Sequence, residues 1–323
     1  MNTHRYDGHV HLVGNGLSGS GCWLRLDGLW HRALGEVMRR TIGLEAKATA
    51  QDFDESFVGH LAGLVAASSM DKALLLAQDE VYDEEGKKID FGSFHVPNDY
   101  LFKVCRENPE FVPAVSIHPG RKDALEELDR CLAAGARALK LLPNCQNVNC
   151  SLPQYDEFWR RMAAAGLPFL CHTGGEMTVP VINRSYQDPR ILRRPLELGV
   201  KVIAAHSSGN SHFFDQNYFG ELIKLMDEFP KMYADTSALN SPIRSGVLKQ
   251  VKESGRLGRF LHGSDYPVPV GAFWVRLRGL ITNAQRREAG KIPNLIERDA
   301  FLKRAMGFDE GHFTRLGEIL RTV

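Results

Sequence analysis

Residues 5–13 read RYDGHVHLV, and this stretch decides the fold because it is the first of eight short apolar segments that end in polar residues. Side chains alternate between the two faces of a strand, so His9 and His11 point to one side and Val10 to the other. Two imidazoles on one face can reach a single metal ion. An isolated His-x-His pair also occurs by chance, so the pair alone leaves an incidental interpretation open.

Seven further segments resemble the first in length and apolar character. The eight predicted strands are Arg5–Val13, Asp71–Gln78, Phe111–His118, Ala136–Leu142, Leu167–His172, Val200–His206, Lys231–Ser237 and Arg259–Asp265. Amphipathic helical patterns lie between them, and three of these stop at Gly135, at Gly166 and before Pro230. Strand and helix alternating eight times predict an α/β fold, a distorted (β/α)8 TIM barrel, with a doubly wound sheet as the alternative.

Two connections are longer than the rest and predict insertions after strands one and two. They are Gly14–Ser69 and Asp79–Asn98, and both follow the strand ends at which barrel active sites lie. Helical patterns in these insertions and in the C-terminal tail cover Leu26–Met38, Phe53–Ala67, Ile292–Gly307 and Gly311–Arg321. The sequence thus predicts one barrel domain over residues 1–323, with extra C-terminal helices that pack on the barrel or on a partner subunit.

Composition excludes several classes of protein. The 323 residues include 40 Lys and Arg against 39 Asp and Glu, a net charge of +1, with 43% hydrophobic and 24% charged residues. Such a balance offers no basic excess for a nucleic acid, and no apolar run is long enough for a membrane span. The first residues show no secretory leader pattern, and six scattered cysteines are typical of a reduced, cytoplasmic protein. The partner we expect is a small-molecule substrate, with a homodimer as an open question.

Polar residues close three of the later strands in the same way. His172 stands in FLCHTGGE, His206 in IAAHSSG and Asp265 in LHGSDYP. In a barrel the carboxyl ends of the strands meet at one mouth, so these residues are expected to join the two histidines of the first strand. One buried histidine is usually structural, but four histidines and an aspartate at matching edges favour a borderline cation such as zinc over calcium.

Lys140, in ALKLLP, ends the fourth strand. Buried lysine is rare without a partner because its charge must be desolvated. Three interpretations stay open: a carbamylated ligand that bridges two metal ions, a positive charge that faces substrate, or a lysine whose amine reaches solvent.

Taken in order, HVHL, KLLP, CHTGG, AHSSG and GSDYP resemble the amidohydrolase superfamily of metal-dependent hydrolases, and most closely its amidohydrolase-2 branch, which also contains decarboxylases. The resemblance extends from Arg5 to about Gly307 and implies a divalent metal, zinc in preference to manganese. The metal ligands that it implies are His9, His11, His172 and Asp265.

The same resemblance implies roles for two more residues. His206 matches a histidine that binds a second metal ion or polarises the substrate, and Lys140 stands where some branches carry a carbamylated lysine. One ion is favoured, and two would require that carbamylated lysine. The family often has histidine after the Lys-Leu pair, whereas this chain has Leu142.

These residues predict an enzyme in which a metal-activated water attacks an amide, ester or lactone carbonyl. Asp265 would shuttle the proton, and His206 or Lys140 would polarise the carbonyl. A non-hydrolytic decarboxylase of a small carboxylic acid, for example an aromatic one, is the first alternative, and a metal-binding protein without catalysis is the second.

Other polar residues have a structural and a functional interpretation each. Asp235 is a support for a ligand or a loop cap, Glu176 orients a ligand or is solvated, and His118 lines the mouth or caps a loop. Residues expected to be mainly structural or solvated are His262, Trp274, Arg184, Arg190, Arg193 and Arg194, although one of these arginines is a candidate for binding a substrate carboxylate.

Overall fold

The structure is a computed structural model that describes residues 4–25, 28–211, 215–241 and 243–322. Eight parallel strands form one sheet, in which each strand pairs with the next one in chain order. The strands are β1 (Tyr6–His11), β2 (Lys72–Leu76), β3 (Phe111–Val115), β4 (Ala138–Leu141), β5 (Phe169–Cys171), β6 (Val202–Ala204), β7 (Met232–Asp235) and β8 (Phe260–Leu261). The amide of Gly8 donates to the His262 carbonyl at 3.0 Å and that of His11 to the Tyr266 carbonyl at 2.8 Å, so the first and last strands meet. The predicted TIM barrel is confirmed.

The strands bury apolar side chains on both faces, as a parallel sheet covered by helices requires. Leu74, Ala114, Leu170 and Ile203 pack together in one cluster, while neighbouring strand residues such as Leu75 pack in the larger cluster with the helices. The C-terminal residues Leu316, Ile319 and Leu320 belong to the first cluster. The tail therefore packs against the strands of its own barrel.

Helices alternate with the strands and continue into the tail. They are α1 (Gly28–Ile42), α2 (Phe53–Ala66), α3 (Asn98–Glu107), α4 (Ala124–Ala133), α5 (Pro143–Gln146), α6 (Asp156–Ala164), α7 (Arg193–Glu197), α8 (Phe219–Glu228), α9 (Ser245–Glu253), α10 (Ala272–Leu277), α11 (Asn283–Gly290), α12 (Leu295–Ala305), α13 (Glu310–Thr314) and α14 (Leu316–Ile319). Gly135 and Gly166 follow α4 and α6 with φ of 95° and 66°, the left-handed conformation predicted for them. Among the described residues, no helix is long and apolar enough to cross a bilayer.

Several predicted boundaries need correction. The first insertion helix extends to Ile42 instead of Met38, and the first two residues of its predicted range lie outside the described chain. The last predicted helix is divided into α13 and α14, and α10 and α11 were not predicted. Within the predicted loop Asp79–Asn98, two short strand pairs form, one of which joins Phe94–His95 to Trp23–Leu24 of the first insertion.

A buried carboxylate holds the start of the first insertion. Asp54, at the beginning of α2, accepts hydrogen bonds from the amides of Asn15 at 2.6 Å and Gly16 at 3.2 Å. The hydroxyls of Ser18 and Ser20 donate to the same carboxylate at 3.0 and 2.5 Å. The chain that leaves β1 is thereby tied to α2 close to the mouth of the barrel.

Candidate metal centre

Side chains from four strand ends meet at the carboxyl end of the barrel. His9 and His11 lie on β1, His172 directly follows β5, His206 follows β6 and Asp265 follows β8. His9 Nε2 lies 3.2 Å from Asp265 Oδ1, and His11 Nε2 lies 3.3 Å from the same oxygen. His172 Nδ1 lies 3.2 Å from His206 Nε2. The predicted meeting of these five residues at one mouth is therefore present in the structure.

Among the described residues, the group whose ligand atoms all lie close enough to hold one ion differs from the predicted set. Ligand atoms of His9, His206 and Asp265 all lie within 4.8 Å of one another, and all three residues are buried. His206 joins this group from the turn Ala205–Ser208, where His206 has a φ of 57° instead of the extended strand conformation that we predicted. Ligation by His11 and His172, which border the group, stays a prediction.

The hydrogen bonds of His9 show how this group suits a cation. Its Nδ1 lies 2.8 Å from Asp235 Oδ2, so the proton is assigned to Nδ1 and the lone pair to Nε2. Burial, and then the charge of Lys140, lower the pKa of His9, which keeps the ring neutral. The Nε2 lone pair and the Asp265 carboxylate are both acceptors and face each other. A buried set of imidazole nitrogens and a carboxylate oxygen fits a divalent ion such as zinc.

Asp235 positions two parts of the centre at once. Besides His9, it accepts hydrogen bonds at Oδ1 from the amide of His206 at 2.8 Å, the amide of Ser237 at 3.0 Å and the hydroxyl of Ser237 at 2.5 Å. Burial opposes its ionisation, but His9 and these hydrogen bonds keep the pKa of Asp235 below its ordinary value. Of its two interpretations, the structure supports the one in which Asp235 holds a ligand.

Lys140 lies inside the barrel with no exposed surface, and its Nζ is 3.2 Å from His9 Nε2. Burial lowers the pKa of its amine. The interpretation in which the amine of Lys140 reaches solvent is thus wrong. The two other interpretations, a charged lysine and a carbamylated one, both agree with the position of Lys140 beside His9.

A strained turn and a buried network place Asp265. The residue has a φ of 67°, which is unusual outside glycine. Its amide donates to the His9 carbonyl at 2.9 Å, and the preceding Ser264 donates its amide to Asp7 at 2.8 Å. Lys303, fully buried on α12, donates to the Gly263 carbonyl at 2.6 Å. These contacts fix the loop from which the carboxylate reaches the centre.

Arg244 is a buried cation that the sequence analysis missed. One terminal nitrogen donates to the Gly175 carbonyl at 2.6 Å, and the other has no hydrogen-bond partner among the described residues. Burial lowers its pKa, and the carboxylates of Glu176, Asp265 and Asp235 oppose that shift. The signal that could have found Arg244 is its place, in SPIRSG, between β7 and the next helix, because the other site residues also follow strand ends.

Glu176 lies beside Arg244 at the edge of the centre. Its Oε2 is 3.6 Å from His172 Nε2, and its Oε1 accepts hydrogen bonds from the loop that follows. Burial opposes ionisation, but His172 and Arg244 keep the pKa of Glu176 low. The carboxylate thus faces a candidate ligand, as one of its two interpretations required.

The remaining candidates lie outside the centre. The four arginines after β5 form ion pairs with Asp215, Asp188, Glu228 and Asp156, as expected for a mainly solvated cluster, and none of these pairs involves a residue of the centre. His118 Nε2 bonds to the carbonyl of Gln146, the last residue of α5, at 2.8 Å. His262 packs against Phe313 on the helix side, and Trp274 against Phe273.

A cavity opens above the centre, and its floor includes His11, His172, His206 and Asp265. It contains about 1200 Å³ of empty space, including its open mouth. The candidate centre therefore has access to a pocket of a size that suits a small molecule.

Comparison with known proteins agrees with this architecture. The family model described as amidohydrolase, Amidohydro_2, matches residues 6–290. An uncharacterised TIM-barrel protein from Bordetella bronchiseptica superposes with a TM-score of 0.56 at 17% identity, over 92% of this chain and 99% of its own. A search of curated proteins gives no significant match.

Two further solved structures resemble the chain in fold. One is a putative 2-pyrone-4,6-dicarboxylic acid hydrolase from Pseudomonas putida, with a TM-score of 0.54 and 16% identity over 96% of this chain and 99% of that one. The other is a 5-carboxyvanillate decarboxylase from Sphingomonas paucimobilis, with a TM-score of 0.53 and 13% identity over 95% and 100%. At these identities the likeness concerns the barrel alone.

Proposed function

Because the chain belongs to the amidohydrolase-2 family, we propose that it is a metal-dependent hydrolase that adds water to the carbonyl carbon of an amide, ester or lactone. The observation that carries this proposal is the buried group His9, His206 and Asp265, of which His206 and Asp265 line an open cavity. A divalent ion, zinc in preference to manganese, would supply Lewis acidity and lower the pKa of water to about 7.

The two carboxylate oxygens of Asp265 have different surroundings. Oδ1 is shared by His9 and His11, whereas Oδ2 lies 3.9 Å from His206 Nδ1. We assign to Oδ2 the proton that leaves the attacking water and is passed to the leaving group. In this proposal Asp265 both holds the centre and moves the proton.

His206 serves better as a ligand than as a proton donor. Its Nδ1 lies 3.2 Å from the Ser237 carbonyl, which can only accept, so the proton is assigned to Nδ1 and Nε2 carries a lone pair. Nε2 lies 3.2 Å from Nδ1 of His172, the neighbouring candidate ligand. Polarisation of the carbonyl then falls to the ion and to the charge of Lys140 below His9.

A decarboxylase of a small carboxylic acid is the second candidate, and Arg244 favours it. Arg244 is buried near the carboxylates of Glu176, Asp265 and Asp235, which oppose the lowering of its pKa by burial. The partner-free guanidinium nitrogen suits the carboxylate that such a substrate carries. The cytoplasmic location that we propose for either enzyme is supported by the six unpaired cysteines.

A screen of lactones, esters, amides and aromatic carboxylates against zinc- and manganese-loaded protein tests the proposal. We expect hydrolysis that disappears in Asp265→Asn while circular dichroism stays native. Release of carbon dioxide from an aromatic acid, without hydrolysis of any carbonyl compound, would transfer the assignment to the decarboxylase.

A further inference from the structure

The cavity above the centre has its imidazoles and carboxylates at the floor, and its other lining residues are mainly apolar, with Arg25, Arg39, Ser93 and Thr178 as the polar exceptions. Its polar floor consists of His11, His172, His206, Asp265 and Glu176. The apolar lining consists of Val13, Leu24, Met38, Ile42, Leu44, Ala48, Phe53, Phe57, Phe94, Leu142, Val179, Pro267 and Val268. A ligand that reaches the floor therefore places the rest of its body against hydrocarbon.

The two arginines of the lining already have partners. Arg25 lies over the Trp23 ring, 4.5 Å from its centroid, and pairs with Asp90. Arg39 pairs with Glu36 and also donates to the Leu44 carbonyl. Among the described lining residues, the walls thus offer no unpaired charge for a second ionic group of a ligand.

The apolar walls come largely from the insertions and not from the barrel. Met38 and Ile42 lie on α1, Phe53 and Phe57 on α2, and Phe94 on the short strand that pairs with Trp23–Leu24. The Phe94 ring meets the His11 ring edge-on, with centroids 6.1 Å apart. Hydrocarbon therefore begins directly beside a candidate metal ligand.

We propose that the substrate is an acyl compound with a single polar end, whose uncharged alkyl or aryl body lies in this cavity. The inference rests on the proposed hydrolase function, because the acid that hydrolysis releases would occupy the same place. A second charged group on the body would lose its hydration against Ile42 and Phe57 without gaining a partner. Dicarboxylates are accordingly poor ligands, and affinity grows with apolar length.

The test measures binding and not turnover. Straight-chain monocarboxylates from butanoate to decanoate are titrated into zinc-loaded protein by calorimetry, together with octanedioate. We expect the Kd to fall about fourfold for each added methylene until the cavity is filled, and octanedioate to bind at least about tenfold more weakly than octanoate. Equal affinity along the series, or equal binding of octanoate and octanedioate, would overturn the inference.

Two neighbouring positions on α1 provide matched variants. Met38 lines the cavity, whereas Val37 points outward with 58% of its surface exposed. Met38→Glu should remove the dependence of Kd on chain length, and Val37→Glu should retain it. If both variants lose the dependence of Kd on chain length, or if Met38→Glu retains it, the assignment of the apolar body to this cavity is refuted. A length series that holds while no ester, amide or lactone is hydrolysed would instead contradict the hydrolase function and leave the cavity assignment in place.

Discussion

Replacement of Asp235 by asparagine isolates the effect of the carboxylate that orients His9. The amide oxygen can still accept from the amides of His206 and Ser237, which lie 2.8 and 3.0 Å from Oδ1. The amide nitrogen, however, would face His9 Nδ1, where Oδ2 now lies at 2.8 Å. Two donors cannot bond to each other, so the imidazole proton is displaced to Nε2 and the lone pair aimed at the centre is lost.

The expected loss concerns metal binding more than folding. Removal of an outer-shell partner of a ligating histidine typically lowers metal affinity by about 10- to 100-fold, or about 1.4–2.8 kcal/mol. The loss of one hydrogen bond to a charged group lowers the free energy of unfolding of the metal-free protein by about 1.5–3 kcal/mol. Zinc competition against a chromophoric chelator measures the first quantity and urea unfolding measures the second.

Asp54→Asn is the matched control, because Asp54 is equally buried but holds the insertion instead of a histidine. It should lose stability and keep zinc affinity. Zinc affinity in Asp235→Asn equal to that of the wild type would refute the role that we assign to the orientation of His9.

Three further predictions concern the proton, the ion count and acid stability. Asp265→Asn should lower kcat by about 10²- to 10⁴-fold, since it removes the proposed proton acceptor, with no change in circular dichroism; wild-type turnover would remove Asp265 from that role. Elemental analysis should give one zinc ion per chain, because Lys140 Nζ faces His9 and the tight donor group has three members; two ions per chain would contradict this. Burial lowers the pKa of His118 to about 4, below its ordinary value of 6.5. The folded state therefore binds this proton less readily than the unfolded one, and stability present above pH 6.5 should fall by about 3 kcal/mol as the pH drops to about 4. Urea unfolding of wild type and His118→Gln between pH 7 and pH 4 checks this, and an equal pH dependence in both would contradict it.

The sequence predicts the meeting of the site residues because two simple rules apply to it. Alternation along β1 places His9 and His11 on one face, and the common direction of parallel strands brings His172 and Asp265 to the same mouth. Both rules need only the local sequence pattern and the order of the strands, and both can be read from the short apolar segments of the sequence.

Features that depend on contacts between distant segments were not predicted. The inward direction of Arg244 depends on the path of the loop after β7, and the arginine-rich stretch after β5 satisfies its charges at the surface. The strand pair of Trp23–Leu24 with Phe94–His95 was not predicted, because strands this short show no sequence pattern. Each strand is stabilised by pairing with the other. The left-handed turn at His206 likewise follows from its bond to Asp235, which no local pattern reveals.

The contact between β1 and the segment after β8 has a consequence for biosynthesis. The ribosome adds His9 long before Asp265, because seven further strands of the barrel lie between the two residues in sequence. A nascent chain therefore contains an incomplete group of donors until Asp265 has been added. Under the proposed function, metal loading would follow the closure of the barrel by β8, and a chain terminated before Asp265 lacks the carboxylate that completes the group.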